Sequence, residues 1–153
     1  MEKVIRTAKQ MIEAKKREGV ISVSPNDTIL TALKSLAEHD IGAVLVIDQN
    51  RLIGILSERD CVRKLELQGR AAATTLVRDV MTANVLTVRP EQGAEQCRKI
   101  MGEARIRHLP VVEGERVVGV LSSKDILDQV IAEDEKLIKD LETERLMTTA
   151  GQY

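Results

Sequence analysis

One stretch of this chain occurs twice, and that constrains the fold more than any other feature. Gly54-Ile55-Leu56-Ser57-Glu58-Arg59-Asp60 returns 65 residues later as Gly119-Val120-Leu121-Ser122-Ser123-Lys124-Asp125. The correspondence reaches far upstream. Displaced by 65, Val20, Val23 and Pro25 meet Val85, Val88 and Pro90, while Ile41, Val46 and Arg51 meet Ile106, Val111 and Arg116. No gap is needed between residues 20 and 62. An internal repeat has to be recognised before any fold is assigned. The 153 residues therefore read as two similar halves sharing a core.

Each half carries the same pattern of elements, β-α-β-β-α. In the first, Val20–Val23 reads as a strand and Ser24-Pro25-Asn26-Asp27 as a turn, with Asn26 or Asp27 placed to cap the next helix. Ile29, Leu30, Leu33, Leu36 and Ala37 recur at helical spacing. Ala43–Ile47 is continuously apolar, as in a strand covered on both faces. Asp48-Gln49-Asn50 is a hairpin turn, Arg51–Leu56 the returning strand, and Ser57 opens a helix that Gly69 stops. In the second half the strands fall at 85–88, 108–112 and 116–121 and the helices at 93–104 and from Ser122. The fold class is α/β (α+β). A basic amphipathic helix with Val4, Ile5, Ala8, Met11 and Ile12 on one face precedes the repeats and reads as docked on them. An extended helix carrying Leu137, Ile138 and Leu141 follows them, fraying after about Arg145 and packed on the first helix or on a second subunit. The segments are 1–19, 20–69, a connector 70–84 with Leu76, Val77, Val80 and Met81 tucked under as one turn, 85–134 and 135–153.

Composition removes several function classes. Net charge is −1, so no global field attracts nucleic acid or an anionic membrane. There is no Phe, no Trp and a single Tyr153, so the core is aliphatic and stacking platforms for single-stranded nucleic acid are missing. No apolar run has transmembrane length and the N-terminus lacks the pattern of a secretory signal. Cys61 and Cys97 do not align in the repeat, and only two His accompany them, which argues against a zinc site and a disulfide framework and for a reduced, cytoplasmic protein. Both cysteines read as core fillers. Ser57 has no His in its motif to act as base, so an enzyme is the weakest reading.

The repeated Ser and Asp carry the chemistry. Three residues apart at a helix start, their side chains point to one side. A carboxylate accepts from two donors, which suits the 2′ and 3′ hydroxyls of a ribose. The helix N-terminus favours a phosphate, and Arg59 or Lys124 adds full positive charge. The same Ser-x-x-Asp is also a capping box that satisfies backbone N–H groups and binds nothing.

Two β-α-β-β-α units, each ending Gly-h-h-Ser-x-x-Asp (h apolar), with His108-Leu109-Pro110-Val111-Val112 ahead of the second motif, resemble a tandem pair of cystathionine-β-synthase (CBS) domains, a Bateman module. The resemblance covers about residues 20–132. The first repeat departs from it in having no proline within Gly42-Ala43-Val44-Leu45-Val46. The resemblance implies two repeats packed through their sheets with pseudo-twofold symmetry, two clefts for an adenosine-containing ligand (AMP, ADP, ATP, S-adenosylmethionine or NAD(H)), a homodimer, and a regulatory role acting on an unidentified partner protein. It further implies that the motif of one repeat faces strand starts of the other. Site A then joins Ser57, Arg59 and Asp60 to Arg107, His108 and Arg89. Site B joins Ser122, Lys124 and Asp125 to Gly42, Ala43 and Ser24. With its arginines, site A is expected to hold phosphate-bearing ligands more tightly. Two functions compete: a nucleotide-sensing module, and a ligand-free module that oligomerises through its terminal helices.

Overall fold

The computed structural model describes residues 6–15 and 19–150, the last three as backbone only. Helix α1 (Ala8–Ala14) comes first; Val4 and Ile5, expected on its apolar face, lie outside the described residues. The first repeat then runs β1 (Ser22–Val23), α2 (Ile29–His39), β2 (Ala43–Asp48), β3 (Arg51–Ser57) and α3 (Glu58–Asp60). The helical path of α3 continues as a π-turn over Cys61–Leu65 and a 3-10 turn over Glu66–Gln68, ended by left-handed Gly69. Strand β1 is parallel to β2 and β2 antiparallel to β3. Thr28, not Asn26 or Asp27, caps α2: its hydroxyl accepts from Thr31 N–H, whereas the Asp27 carboxylate is taken by the Ser24 N–H in the turn before.

The second repeat has α4 (Ala94–Ala104), β4 (His108–Glu113), β5 (Arg116–Ser122) and α5 (Ser123–Ala150). The β4–β5 register copies β2–β3 at the same offset, down to a bulge after Val111 that matches the one after Val46. The strand expected at 85–88 is reduced to one bridge between Val88 and Val111. Proline explains the loss. In the first repeat Leu45 N–H donates to Ile21 C=O. At the corresponding place stands Pro110, which has no N–H to give.

Two aliphatic cores result. Ile29, Val44, Val46 and Leu56 centre the first, and Leu109, Val111, Leu121 and Ile126 the second. Each such buried side chain contributes roughly 1.5–3 kcal/mol against its exposed state. Both cores are closed by a segment from outside the 65-residue register. Val77 and Val80 of the connector close the first; Ala8 and Met11 close the second. The two segments make matching bonds. Val77 N–H donates to Asp27 C=O at 2.8 Å, and Ala8 N–H to Gln92 C=O at 2.7 Å. Arg78 N–H donates to Pro25 C=O at 3.1 Å, and Lys9 N–H to Pro90 C=O at 3.0 Å. Ile29 and Ala94 in turn donate to the carbonyls of Thr75 and Arg6. Residues 6–12 therefore do for the second repeat what 75–81 do for the first.

Helix α5 shows no fraying at Arg145 and continues to Ala150. Ile126 and Val130 face the second core, while Leu127, Ile131, Ile138 and Leu141 stand exposed.

Candidate functional site

Each motif sits where a returning strand turns into a helix. Ser57 is the N-cap of α3, and its hydroxyl accepts from Asp60 N–H at 3.1 Å. Asp60 Oδ2 accepts from Ser57 N–H and from Ser57 Oγ, both at 3.0 Å. The other oxygen, Oδ1, accepts from the Thr82 hydroxyl at 3.1 Å and lies 3.1 Å from Lys64 Nζ. Four donors match the roughly four lone pairs of an ionised carboxylate. They explain how Asp60 is held at 9% exposure. The capping box is therefore real, and a ribose hydroxyl reaching Asp60 must take the place of Lys64 or Thr82. Lys64 is the weaker holder: its side chain is half-exposed, and an i,i+4 pair of that kind is worth about 0.3–0.5 kcal/mol.

The second motif is held the same way but capped differently. Asp125 Oδ2 accepts from Ser122 N–H at 2.8 Å, and Ser122 Oγ accepts from Asp125 N–H at 3.1 Å. Onto that same Oδ2 comes Lys15 Nζ at 2.8 Å, from the residue that ends α1. The ammonium also donates to Val120 C=O at 2.8 Å. Thr82 occupies the same place in the first repeat, its N–H donating to Ile55 C=O at 2.9 Å and its hydroxyl to Asp60. Burial alone would raise the Asp125 carboxyl. The Lys15 and Ser122 hydrogen bonds outweigh it and hold the group below the ordinary carboxylate range.

Across the strands, the residue paired with Ser57 is Ala43, and the one paired with Ser122 is His108. The His108 imidazole lies against Gly42; a Cβ there would sit 3.3 Å from Nε2. Burial, then the Lys15 ammonium, pushes this imidazole below its ordinary value against the pull of Asp125 and Glu58. His108, expected at site A, thus lies against Gly42, expected at site B, and feels the charges of both Asp125 and Glu58. Arg59 does cross between repeats: its Nη1 donates to Arg105 C=O at 3.3 Å. Arg105 is held left-handed at φ 56°, as is Asp40 at φ 50°, one at each helix end. Arg107 and Lys124 are exposed. The bonds seen at Ser24 and Arg89 are local to the turns before α2 and α4.

Lys15, Lys64 and Thr82 were missed by sequence reasoning. Lys64 carried a signal, standing four residues after Asp60 on a helix. A cavity of about 250 Å³ borders Asp125 beside Lys15, Asp128 and Gln129. Another of about 320 Å³ lies between the hairpins, where Arg51 faces Glu115 across 3.9 Å, and it touches neither motif. Among the described residues no cluster of His, Cys, Asp and Glu is suited to a metal. No described helix is long and apolar enough to cross a membrane.

Two such repeats, each with a capped carboxylate where its returning strand enters a helix, define a tandem α/β pair. The CBS-domain family model matches residues 12–67 and 77–132, and the chain belongs to that family. It is 36% identical over 121 residues to CBS domain-containing protein CBSX3, mitochondrial, of Arabidopsis thaliana, across 76% of this chain and 59% of that protein. The chain thus spans under two thirds of the length of that curated relative. Among solved structures it is similar to a putative signal-transduction protein with CBS domains from Burkholderia ambifaria, with a TM-score of 0.79, 41% identity, and coverage of 82% of this chain and 94% of that one. A CBS-domain pair in complex with 5′-methylthioadenosine and S-adenosyl-L-methionine superposes with a TM-score of 0.74 at 25% identity, covering 85% of this chain and 99% of that one.

Proposed function

We propose that the protein is a regulatory, non-catalytic module that binds an adenine nucleotide (AMP, ADP, ATP or NAD(H)) in a cleft at the Ser57/Asp60 motif, in the cytoplasm. The observation that carries this reading is the placement of Asp60 and Arg59 side by side at the start of α3. Asp60 is a carboxylate at a helix start, and Arg59 reaches across to Arg105 of the other repeat at 3.3 Å. A nucleoside phosphate uses both kinds of group: an acceptor for sugar hydroxyls beside a cation for the phosphate. Arg107, exposed at the start of β4, supplies further charge. The likeness to a pair bound to adenosyl ligands supports the class. Both described thiols are free and buried, which fits a reducing compartment. Thermal melting with AMP, ATP and NADH tests the reading. Ligand at 100 times its dissociation constant stabilises by roughly 2.7 kcal/mol. No shift with any of the three counts against it.

The second reading, assembly through the terminal helices, is favoured by the exposed stripe on α5 and is compatible with the first. An antiparallel pairing of two α5 helices would bring the exposed Ile138 and Leu141 of each copy together. Such a pairing buries the same apolar stripe on both copies, as an isologous homodimer requires. Ile138→Glu should then convert a dimer to a monomer in sedimentation velocity. An unchanged mass rules out this interface.

A further inference from the structure

The two motifs share a backbone but not a filling. Where the Asp60 side has Thr82 and Ala43, the Asp125 side has Lys15 and His108. Two small side chains are matched by two large ones: Lys15 reaches the carboxylate itself, and the His108 imidazole lies against Gly42. Lys15 is held at both ends of its ammonium, by Asp125 and by Val120 C=O. Its parent helix is not easily displaced. Met11 is 3% exposed in the second core, and Ile12 rests on Gly119. Just ahead of the helix, Arg6 N–H donates to Glu133 on α5 at 3.1 Å. Lys64 on the other side is a half-exposed side chain bonded to Asp60 of its own motif and to Thr82.

We propose that Lys15 is a built-in occupant of the second cleft: it fills the place of a ligand's donor groups at Asp125 and keeps that cleft closed to nucleotides. One nucleotide then binds per chain, at Asp60. This rests on the nucleotide reading above. Lys15 is the specificity-determining residue that makes the sites unequal, and His108 narrows the same space from the Gly42 side. A ligand entering the second cleft must first displace the Lys15 ammonium from Asp125 and from Val120 C=O.

Titration calorimetry with AMP on the full chain separates the outcomes. Wild type should bind one equivalent and Asp60→Asn none. Lys15→Ala should bind two, and the Lys15→Ala, Asp60→Asn double variant one. Two equivalents in wild type, or a silent double variant beside a binding wild type, overturns the inference. If AMP binds no form, the nucleotide reading fails, and a second measurement still decides on Lys15. The Asp125 carboxyl carbon, titrated by NMR in wild type and Lys15→Ala, should shift its midpoint upward in the variant. An unmoved midpoint means that Lys15 does not hold the carboxylate in solution, and the proposal falls.

Discussion

Gly54 and Gly119 stand at the same place in the two repeats, yet adding one methyl group to each should have different consequences. At Gly54 a Cβ would lie 2.5 Å from Met81 Sδ and 3.1 Å from the Thr82 carbonyl oxygen. The Met81 side chain can swing away. The carbonyl cannot, because Thr82 is bonded to Ile55 in both directions, at 2.9 and 3.0 Å. Relief must come from parting that bridge, which also loosens the Thr82 hydroxyl from Asp60. Overpacking of this kind costs about 1–3 kcal/mol, roughly 3–10 °C in Tm for a chain of this size. At Gly119 all the close atoms belong to one Ile12 side chain, the nearest its Cδ1 at 2.8 Å. A rotamer change relieves that contact. Replacing glycine also gains about 0.4–1 kcal/mol by restricting the unfolded chain. Gly119→Ala should therefore stay within about 1 kcal/mol of wild type. Urea unfolding of the two variants compares them directly. A Gly119→Ala loss equal to or larger than that of Gly54→Ala would refute the argument that backbone, not side chain, sets the cost.

Three further outcomes follow from particular contacts. Met11→Ala should lower unfolding free energy by about 2–5 kcal/mol, because Met11 is 3% exposed in the second core; a loss below about 1 kcal/mol means that α1 does not close that core in solution. His108 is held below its ordinary value by burial and Lys15. The unfolded chain therefore takes up this proton first. Stability is complete above about pH 6.5 and is lost as pH falls from there through the folded value. His108→Gln should flatten that loss, and equal slopes in the two proteins would show that this imidazole is not its source. Burial, followed by the charges of Asp60 and Glu58, pushes the Cys61 thiol up to about 11. Iodoacetamide at pH 7.5 should leave native Cys61 unmodified and label it after denaturation; rapid native labelling contradicts the burial.

What could be read from the chain alone was whatever the 65-residue offset preserves residue by residue. Leu56 and Leu121, Val46 and Val111, and the Ser/Asp pairs all fall in equivalent places. The offset does not reach the segments that close each core. Residues 6–12 match 75–81 only after four more residues of displacement, and then only in being apolar: Ala8 for Val77, Met11 for Val80, Ile12 for Met81. Such a match has no sequence signal above that of any amphipathic helix. The partners of the two carboxylates escaped for the same reason. A threonine on a backbone bridge and a lysine at a helix end do equivalent work with no common residue type. The shortened strand before α4 is the opposite case. Pro110 was visible from the start, and its missing N–H accounts for the lost ladder bond.

The way these closing segments cross has a mechanical consequence. Residues 75–82 pack on the first repeat and lead into the second, whereas 6–15 pack on the second and lead into the first. Each repeat is therefore held shut by the segment that precedes its neighbour. The donors that meet the two carboxylates, Thr82 and Lys15, end those segments. A group that draws Asp60 away from Thr82 loosens the bridge to Ile55 and so acts on the entry to the second repeat. Binding at one motif can thus bias the packing at the other without any moving hinge. A bias of this kind is only as large as the ligand's differential affinity for the two packings. Amide exchange across 7–14, measured with and without AMP, reads that coupling. Protection there that is unchanged when AMP is bound at Asp60 would mean that the two closures act independently.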